Sequence, residues 1–433
     1  MVTMNVFFTY DENIHETVHS NGEVTSRFRL PKDWFNLLVD PYRKYPRVSI
    51  QNLENNVPED CYIIHEIHTE RSPHDWMGYA VRGSVNIVEM IPEWLLEKVR
   101  NKTAILYYDQ SCEGFALNSA RIDLYRVFHQ LFNDYNLPPS QIIYSTGNLI
   151  ENEVYRAWCT EHNISESMNV LGVNMFAHTF ANGYIFSTDD SQISCTDHLK
   201  YKAKNDIKLF NSLNRVVRDH RVAMTSMLNY YNLVDDNLVS QDKYPAYYAT
   251  EFSPWQREFD PHPAFEHSNM VNINSKLPLV LDTNQFEINK ATHFFKEVYL
   301  DSWISLITET YCTELNTDTI FFSEKIYKPI RARQPFILVG QYNALSKLKD
   351  EGFMTFSEFW DESYDTIENN TLRLEAICLL LKDLSKLSKP QWLAMYMKMM
   401  PILEHNMNLL NNKNWVTPMH RFVDNHPVLK GLS

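Results

Sequence analysis

Short apolar runs alternate along this chain with longer stretches whose apolar residues recur every three or four positions, and few folds accept that alternation. NVFFTY (5–10), CYIIHEI (61–67), TAILYYD (103–109) and QIIYSTG (141–147) read as strands. ARIDLYRVFHQLFNDYNL (120–137), which stops before Pro138 and Pro139, and ENEVYRAWCTEH (151–162) read as helices. VLGVNMFAHTF (170–180) reads as a further strand. Strands and helices in strict succession predict a parallel sheet with helical crossovers.

A second series follows a polar, patternless stretch at 186–204, which is where an interdomain connection is expected. DIKLFNSLN (206–214) predicts a strand leading into the helix RVVRDHRVAMTSMLNYY (215–231). LPLVLD (277–282), WISLITET (303–310), TIFFSE (319–324) and PFILVG (335–340) predict the other strands of this half. Beyond about residue 370 the pattern is helical. At 433 residues the chain exceeds one ordinary core. The expectation is an α/β fold of two Rossmann-like domains, residues 1–195 and 205–400, facing a cleft. Residues 401–433 would form a tail packing back on the body. Ligands in such sheets sit at the carboxyl ends of strands.

Composition narrows the chemistry. With only 10 glycines there is neither GxGxxG nor a Walker-type loop, so phosphate must be held by side chains and helix ends. A net charge of −14 argues against a broad nucleic-acid surface, though not against a local basic groove. The six cysteines are scattered without a CxxC pair, as expected of reduced thiols in a cytoplasmic protein. The start MVTMNVFFTYDEN has no basic region leading into an apolar stretch, and AICLLL (376–381) is too short for a bilayer. No membrane insertion is expected.

Two helix beginnings in the second half carry the wrong charge. Arg215, Arg218 and Arg221, with His220 among them, crowd the start of the helix after LFNSLN, with Asn214 expected at its cap. Cations there oppose the helix dipole by a few tenths to ~1 kcal/mol each, unless an anion occupies the helix end. At FFSEKIYKPI, Ser323 is expected to cap a helix starting at Glu324, and Lys325 falls in its first turn. Glu324, and Glu309 at the end of the neighbouring strand, can accept from vicinal hydroxyls. Acids for hydroxyls beside cations for phosphates suit a nucleoside-diphosphate sugar. Arginines paired with Asp219 and nearby carboxylates on a wet surface are the plain alternative.

These segments resemble a known family. WISLITET…TIFFSEKIYKPIRARQPFILVG resembles the donor-binding block of the fucosyltransferase-like glycosyltransferases. SLNRVVRDHR (212–221), SEKIYKPI (323–330), PFILVG (335–340) and GFMTFSEFWDESYD (352–365) together are closer still to glycosyltransferase-like proteins of tailed phages and other large viruses. The resemblance covers about 206–390. It implies a GT-B architecture, with the nucleotide-sugar donor on the C-terminal half and the acceptor on the N-terminal half. It also implies donor contacts from Asn214, Arg215, Arg218, Arg221, Glu309, Ser323, Glu324 and Lys325. Thr310 stands where the family usually has Asn. No D-x-D triplet occurs, and no metal or other cofactor is expected.

Transfer with inversion needs a group that takes the acceptor's proton. It is expected at the carboxyl end of an N-terminal strand, with Glu113 first, Asp109 second and Glu66 third. The same carboxylates could instead cap helices or pair with Arg71 and Arg121. His65 and His68 read as cleft-lining polar groups, and HEIH is not the HExxH zinc pattern. MYMKMM (395–400) reads as a packed helix face. The viral relatives leave two acceptors open, a hydroxymethylated pyrimidine in phage DNA or a glycan or envelope saccharide. RLPKDWFNLLVDPYRKYPR (29–47) mixes basic and aromatic residues as a DNA-facing loop does, or as an amphipathic surface helix with a basic end does. A catalytically silent protein that keeps the nucleotide site is the other class of reading.

Overall fold

The computed structural model describes residues 5–10, 17–18, 24–25, 48–52, 57–68, 87–118, 123–181, 193–214, 216–244, 258–281, 294–312, 319–415 and 417–430. The chain forms two compact units, Met1–Met175 with Asn414–Ser433, and Phe176–Lys413.

In the first unit, β1 (Asn5–Tyr10), β4 (Val48–Asn52), β5 (Cys61–His68), β6 (Ala104–Gln110), β7 (Ile142–Thr146) and β8 (Asn169–Gly172) form a parallel sheet. Its order is β4-β1-β5-β6-β7-β8. A two-residue antiparallel ladder joins β2 (Thr17–Val18) to β3 (Val24–Thr25). The strand order reverses between β1 and β5, and in open α/β sheets ligands bind at the carboxyl ends of strands at such a point.

The period of two assigns each strand residue to a side. Ile63 and Ile67 of β5, Leu106 and Tyr108 of β6 and Tyr144 of β7 pack with α1 (Glu93–Arg100), α2 (Leu124–Asp134) and α3 (Glu151–Glu161). These helices are successive crossovers displaced in one direction, and right-handedness puts all three on one face. Asp123 caps α2 by accepting from the Arg126 N–H. The helix stops ahead of its two prolines, because Asn136 takes a left-handed conformation, φ 55°. Phe8, Ile64, Tyr107 and Ile143 serve the other face, covered by Met419 and Val423 of α13 (Thr417–Asn425) and by Leu429. Each fully buried Leu or Phe side chain contributes about 1.5–3 kcal/mol.

The second unit repeats the principle with four parallel strands in the order β10-β9-β11-β12: β9 (Lys208–Asn214), β10 (Leu238–Gln241), β11 (Ser302–Thr308) and β12 (Phe336–Val339). The reversal here lies between β9 and β11. Helix α6 (Asp219–Tyr230) links β9 to β10, and α9 (Glu324–Arg331) links β11 to β12, while the short helices α8 (Lys296–Leu300) and α10 (Ala344–Asp350) precede β11 and follow β12. These crossovers run in opposite directions from the reversal. Accordingly α6 packs with α7 (His267–Lys276) and α11 (Asn370–Leu384), while α9 packs with α12 (Lys389–Asn412). Both units are thus Rossmann-like α/β layers. Among the described residues no helix is long and apolar enough to cross a membrane.

Four expectations need correction. The apolar run at 170–180 is strand only to Gly172, and Met175–Ala181 is a helix, α4. A continuous apolar run cannot separate a buried strand from a buried helix. LPLVLD is not a strand, since Leu279 makes only an isolated bridge with Gln241. TIFFSE is buried but makes no ladder. The Phe321 N–H donates to Gln341 Oε1 (3.2 Å), and the Ser323 N–H donates to the Glu309 carboxylate, so side chains take the partners a strand would have had.

The last correction concerns the patternless stretch at 186–204, whose second half is the helix α5 (Cys195–Lys204). Its buried residues are Cys195, His198 and Lys202, a helical spacing written in polar letters. Lys202 Nζ donates to the carbonyls of Tyr299 (3.0 Å), Leu300 (3.1 Å) and Ser302. The expected division near 195–205 therefore falls inside the second unit. Residues 401–433 are shared, α12 belonging to the second unit and α13 to the first.

Candidate functional site

At the reversal point of the second sheet the register sets Gln241 opposite Asn214 and Thr308 opposite Val339. Thr308 Oγ1 donates to Asn214 Oδ1, and Asn214 Nδ2 donates to Ser212 Oγ (3.1 Å). Asn214 is consumed in joining β9 to β11. It is not the helix cap expected of it, because α6 begins five residues later, with Arg218 in the capping position and no side-chain cap. Arg215 lies outside the described residues.

Arg218 and Arg221 flank the first turn of α6 and turn towards the end of β11. Arg218 Nη1 donates to the Thr310 carbonyl (3.3 Å), and its guanidinium stands 5.9 Å from the centre of the Tyr311 ring. Arg221, only 3% exposed, donates from Nη1 to the Val216 carbonyl (2.9 Å) and from Nη2 to the Glu309 carbonyl (3.4 Å). His220 Nε2 lies 2.8 Å from the Glu309 carbonyl, so it carries the hydrogen. Burial, reinforced by the two arginines, holds this imidazole neutral, with a pKa of about 3. Burial and the repulsion of Arg218 likewise lower Arg221 to about 10, against the pull of Glu324 and Glu309.

Ser323 caps α9 as expected, its oxygen accepting from the Lys325 N–H. Lys325 Nζ donates to Thr310 Oγ1 (3.1 Å), Ser323 Oγ (3.0 Å) and Glu324 Oε1 (2.9 Å). Burial alone would raise the Glu324 pKa, but Lys325 and Lys328 together hold it at about 2, so it is ionised. The Glu309 pKa is raised by burial, which Lys325 and the Ser323 hydroxyl only partly offset.

The two helix beginnings meet at one dipeptide. Arg218 holds the carbonyl of Thr310, Lys325 its hydroxyl, and Arg221 the carbonyl of Glu309. Three cations therefore converge on the carboxyl end of β11. Lys325 is balanced by Glu324, but Arg218 and Arg221 are in no ion pair among the described residues. The buried Nε of each arginine has no hydrogen-bond partner there. Buried N–H groups without partners cost about 1–3 kcal/mol each. Two occur here, on guanidinium groups that repel each other. The sequence marked the arginines by their clash with the helix dipole. Thr310 carried no such signal, since its part depends on folding β11 between the two helix starts.

In the first unit Glu66 and Asp109 lie on one face of the sheet at the carboxyl ends of β5 and β6. Glu66 is opposite Tyr107, and Asp109 stands two residues further on, opposite Ser145. Both carboxyls are buried. Burial and then the charge of Asp109 push the Glu66 pKa well above the usual carboxylate range. Asp109 Oδ1 accepts from the Ser111 N–H (3.0 Å). The buried Ser145 Oγ has no partner among the described residues. Glu113 is in the turn after β6, where its carbonyl accepts from the Gly147 N–H (2.8 Å). His65 does not line an opening as expected. It is wholly buried between β1 and β5, with Nδ1 3.0 Å from Thr9 Oγ1, and burial lowers its pKa to about 4. The His68 side chain, Arg71, Arg121 and the segment 29–47 lie outside what is described. In 395–400, Tyr396 and Met399 are buried and Met397 is exposed, as on a packed helix face.

Among the described residues no group of His, Cys, Asp and Glu could hold a metal ion. No family model matches the chain, and no curated protein matches it. The chain is similar to the N-terminal domain of Candida albicans trehalose-6-phosphate phosphatase, with a TM-score of 0.43 and 10% identity over 97% of this chain and 96% of that one. It is similar to a UDP-forming α,α-trehalose-phosphate synthase from Burkholderia vietnamiensis, with a TM-score of 0.39 and 12% identity over 84% and 74% of the two chains. S. aureus MnaA, in a co-structure with UDP, gives a TM-score of 0.34 and 10% identity over 97% and 95%.

Proposed function

We propose that this protein is a GT-B glycosyltransferase that moves a sugar from a nucleoside-diphosphate sugar to a hydroxyl acceptor. The observation that carries the reading is the pair of buried, unpartnered arginine N–H groups at the reversal point of the second sheet, facing the lysine at the start of α9. In this reading Arg218, Arg221 and Lys325 hold the diphosphate, and ionised Glu324 accepts from sugar or ribose hydroxyls. As the bond from the anomeric carbon to the phosphate oxygen breaks, its electron pair stays on that oxygen, and the three cations stabilise the charge. The acceptor oxygen forms the new bond to the anomeric carbon and gives its proton to a carboxylate. Glu66 is the group proposed for that proton. Burial and the charge of Asp109 raise its pKa, which makes its carboxylate a stronger base than an ordinary one. Asp109 and then Glu113, in the turn after β6, are the other candidates.

Because the cations do the work of a divalent ion, turnover is proposed to survive EDTA. The experiment incubates the protein, with EDTA throughout, with UDP-, GDP-, ADP- and dTDP-sugars. Each is tried with a mixture of saccharides or with DNA containing hydroxymethylcytosine. Nucleoside diphosphate released only in the presence of an acceptor is the expected result, and mass analysis of nucleosides and glycans tells the two acceptors apart. Tight donor binding without release would instead make the protein a nucleotide-sugar binder. Neither binding nor release with any donor would end the reading.

A further inference from the structure

Among the described residues of the cation cluster, Glu309 is a carboxylate with both oxygens already engaged. Oε2 accepts from the Thr310 N–H (3.0 Å) and from the Ser323 hydroxyl, and both oxygens lie near the Ser323 N–H (3.2 and 3.3 Å). A carboxylate offers about four lone-pair sites, and three protein donors already occupy most of them here. The residue is 1% exposed. A serine hydroxyl has one hydrogen. Once it is given to Glu309, the Ser323 oxygen can only accept, and it accepts from the Lys325 N–H (3.4 Å) and from Lys325 Nζ (3.0 Å). Hydrogen bonds therefore run in one direction, from Lys325 to Ser323 to Glu309.

We infer that Glu309 is a positioning residue of the diphosphate site: it does not touch the donor but orients Ser323, which in turn holds Lys325 facing Arg218 across Thr310. This rests on the reading of the site given above. The sequence suggested that Glu309 would read donor hydroxyls, whereas the fold leaves this carboxylate 1% exposed and already holding three protein donors. Glutamine in its place offers one accepting oxygen where the carboxylate has two. With that oxygen in the place of Oε2, the Ser323 N–H would face an amide N–H, and the serine hydroxyl would be held by a neutral oxygen in place of a charged one. The acceptor that fixes the Lys325 ammonium would be held less firmly, while the backbone contact of the Glu309 carbonyl with Arg221 persisted.

The test uses the full chain and inorganic pyrophosphate, which reports the diphosphate site without regard to nucleobase or sugar. Calorimetry compares the wild type with Lys325→Ala, Arg218→Ala, Glu309→Gln, Ser323→Ala and the double variant Glu309→Gln/Lys325→Ala. Loss of the lysine is expected to weaken binding about 30-fold, as for a charge-assisted contact. Loss of Glu309 or Ser323 is expected to weaken it about tenfold each. The double variant is expected to match Lys325→Ala within about twofold, because residues acting through one another are not additive. A merely structural role for Glu309 would multiply the two losses, and full multiplication overturns the inference. So does wild-type binding in both Glu309→Gln and Ser323→Ala. The serine variant keeps the test decisive should the glutamine variant fail to fold. If Lys325→Ala and Arg218→Ala both bind as the wild type does, the diphosphate reading itself fails and takes this inference with it. A weak Lys325→Ala beside an unaffected Glu309→Gln removes the inference alone.

Discussion

Replacing Arg218 by alanine should separate ligand binding from stability, because this side chain does little for the empty protein. Its hydrogen bond to the Thr310 carbonyl is 3.3 Å long, and its guanidinium stands 5.9 Å from the Tyr311 ring. Together these contacts are worth about 1–2 kcal/mol. Against that, its charge lowers the pKa of buried Arg221, a repulsion that the substitution relieves. The net change in stability is therefore expected to be within about 1 kcal/mol. The bound state differs. A charge-assisted contact to phosphate contributes about 1.5–3 kcal/mol, which corresponds to an affinity loss of about 10- to 150-fold. For a loss of about 30-fold, at a ligand concentration of 100 times the wild-type Kd, ligand-induced stabilisation falls from about 2.7 to about 0.9 kcal/mol. Thermal unfolding with and without UDP, GDP or pyrophosphate measures both numbers in one experiment. An Arg218→Ala protein that melts as the wild type does and is stabilised equally by every diphosphate refutes the reasoning. A protein that loses several kcal/mol without ligand refutes it differently, by making the arginine structural.

Other consequences concern the first unit. Glu66→Gln should leave donor binding unchanged and slow transfer about 100-fold or more; full activity would send the search to Asp109 and then Glu113. His65 is neutral in the fold at about 4 and titrates near 6.5 when exposed, so below 6.5 the unfolded chain binds more protons. Stability is therefore complete above 6.5 and lost as pH falls towards 4, by on the order of 3 kcal/mol. His65→Asn should flatten the fall of Tm over this window relative to the wild type, while His198 and His220 titrate alike in both proteins. Parallel curves would contradict this. At the end of β8, a Cβ on Gly172 would stand 2.9 Å from the Asn148 carbonyl oxygen and 3.1 Å from Leu149 Cα. Those are backbone atoms with little freedom to move, so Gly172→Ala should cost about 1–3 kcal/mol by urea titration. A neutral result would show that the 147–150 turn yields.

The polar letters inside buried helices explain why the fold was only partly legible beforehand. Apolar periodicity marks β5, β6, β7, β9, β11, α2 and α11, because a residue facing a core must be apolar whatever its partners are. It fails at α5, whose buried Lys202 is tolerable only because three carbonyls far along the chain receive its hydrogens. It fails again at 319–323, where buried backbone N–H groups are satisfied by the side chains of Gln341 and Glu309. Such partners come from distant segments and leave no local pattern.

The candidate site divides along the same line. Arg218, Arg221 and Lys325 could be picked out from the chain alone, because a cation at a helix start is in conflict with its own helix, a local matter that spacing reveals. Which of the two acids is enclosed by neighbouring donors and which is held ionised by cations was not readable in that way. Glu309 and Glu324 are the same residue type at strand and helix ends. They part company only when Ser323 and Thr310 close around the first and Lys325 and Lys328 draw the second into its ionised state. Charge conflict is written in sequence neighbours, whereas the satisfaction of a buried oxygen depends on groups that folding brings within 3 Å or so.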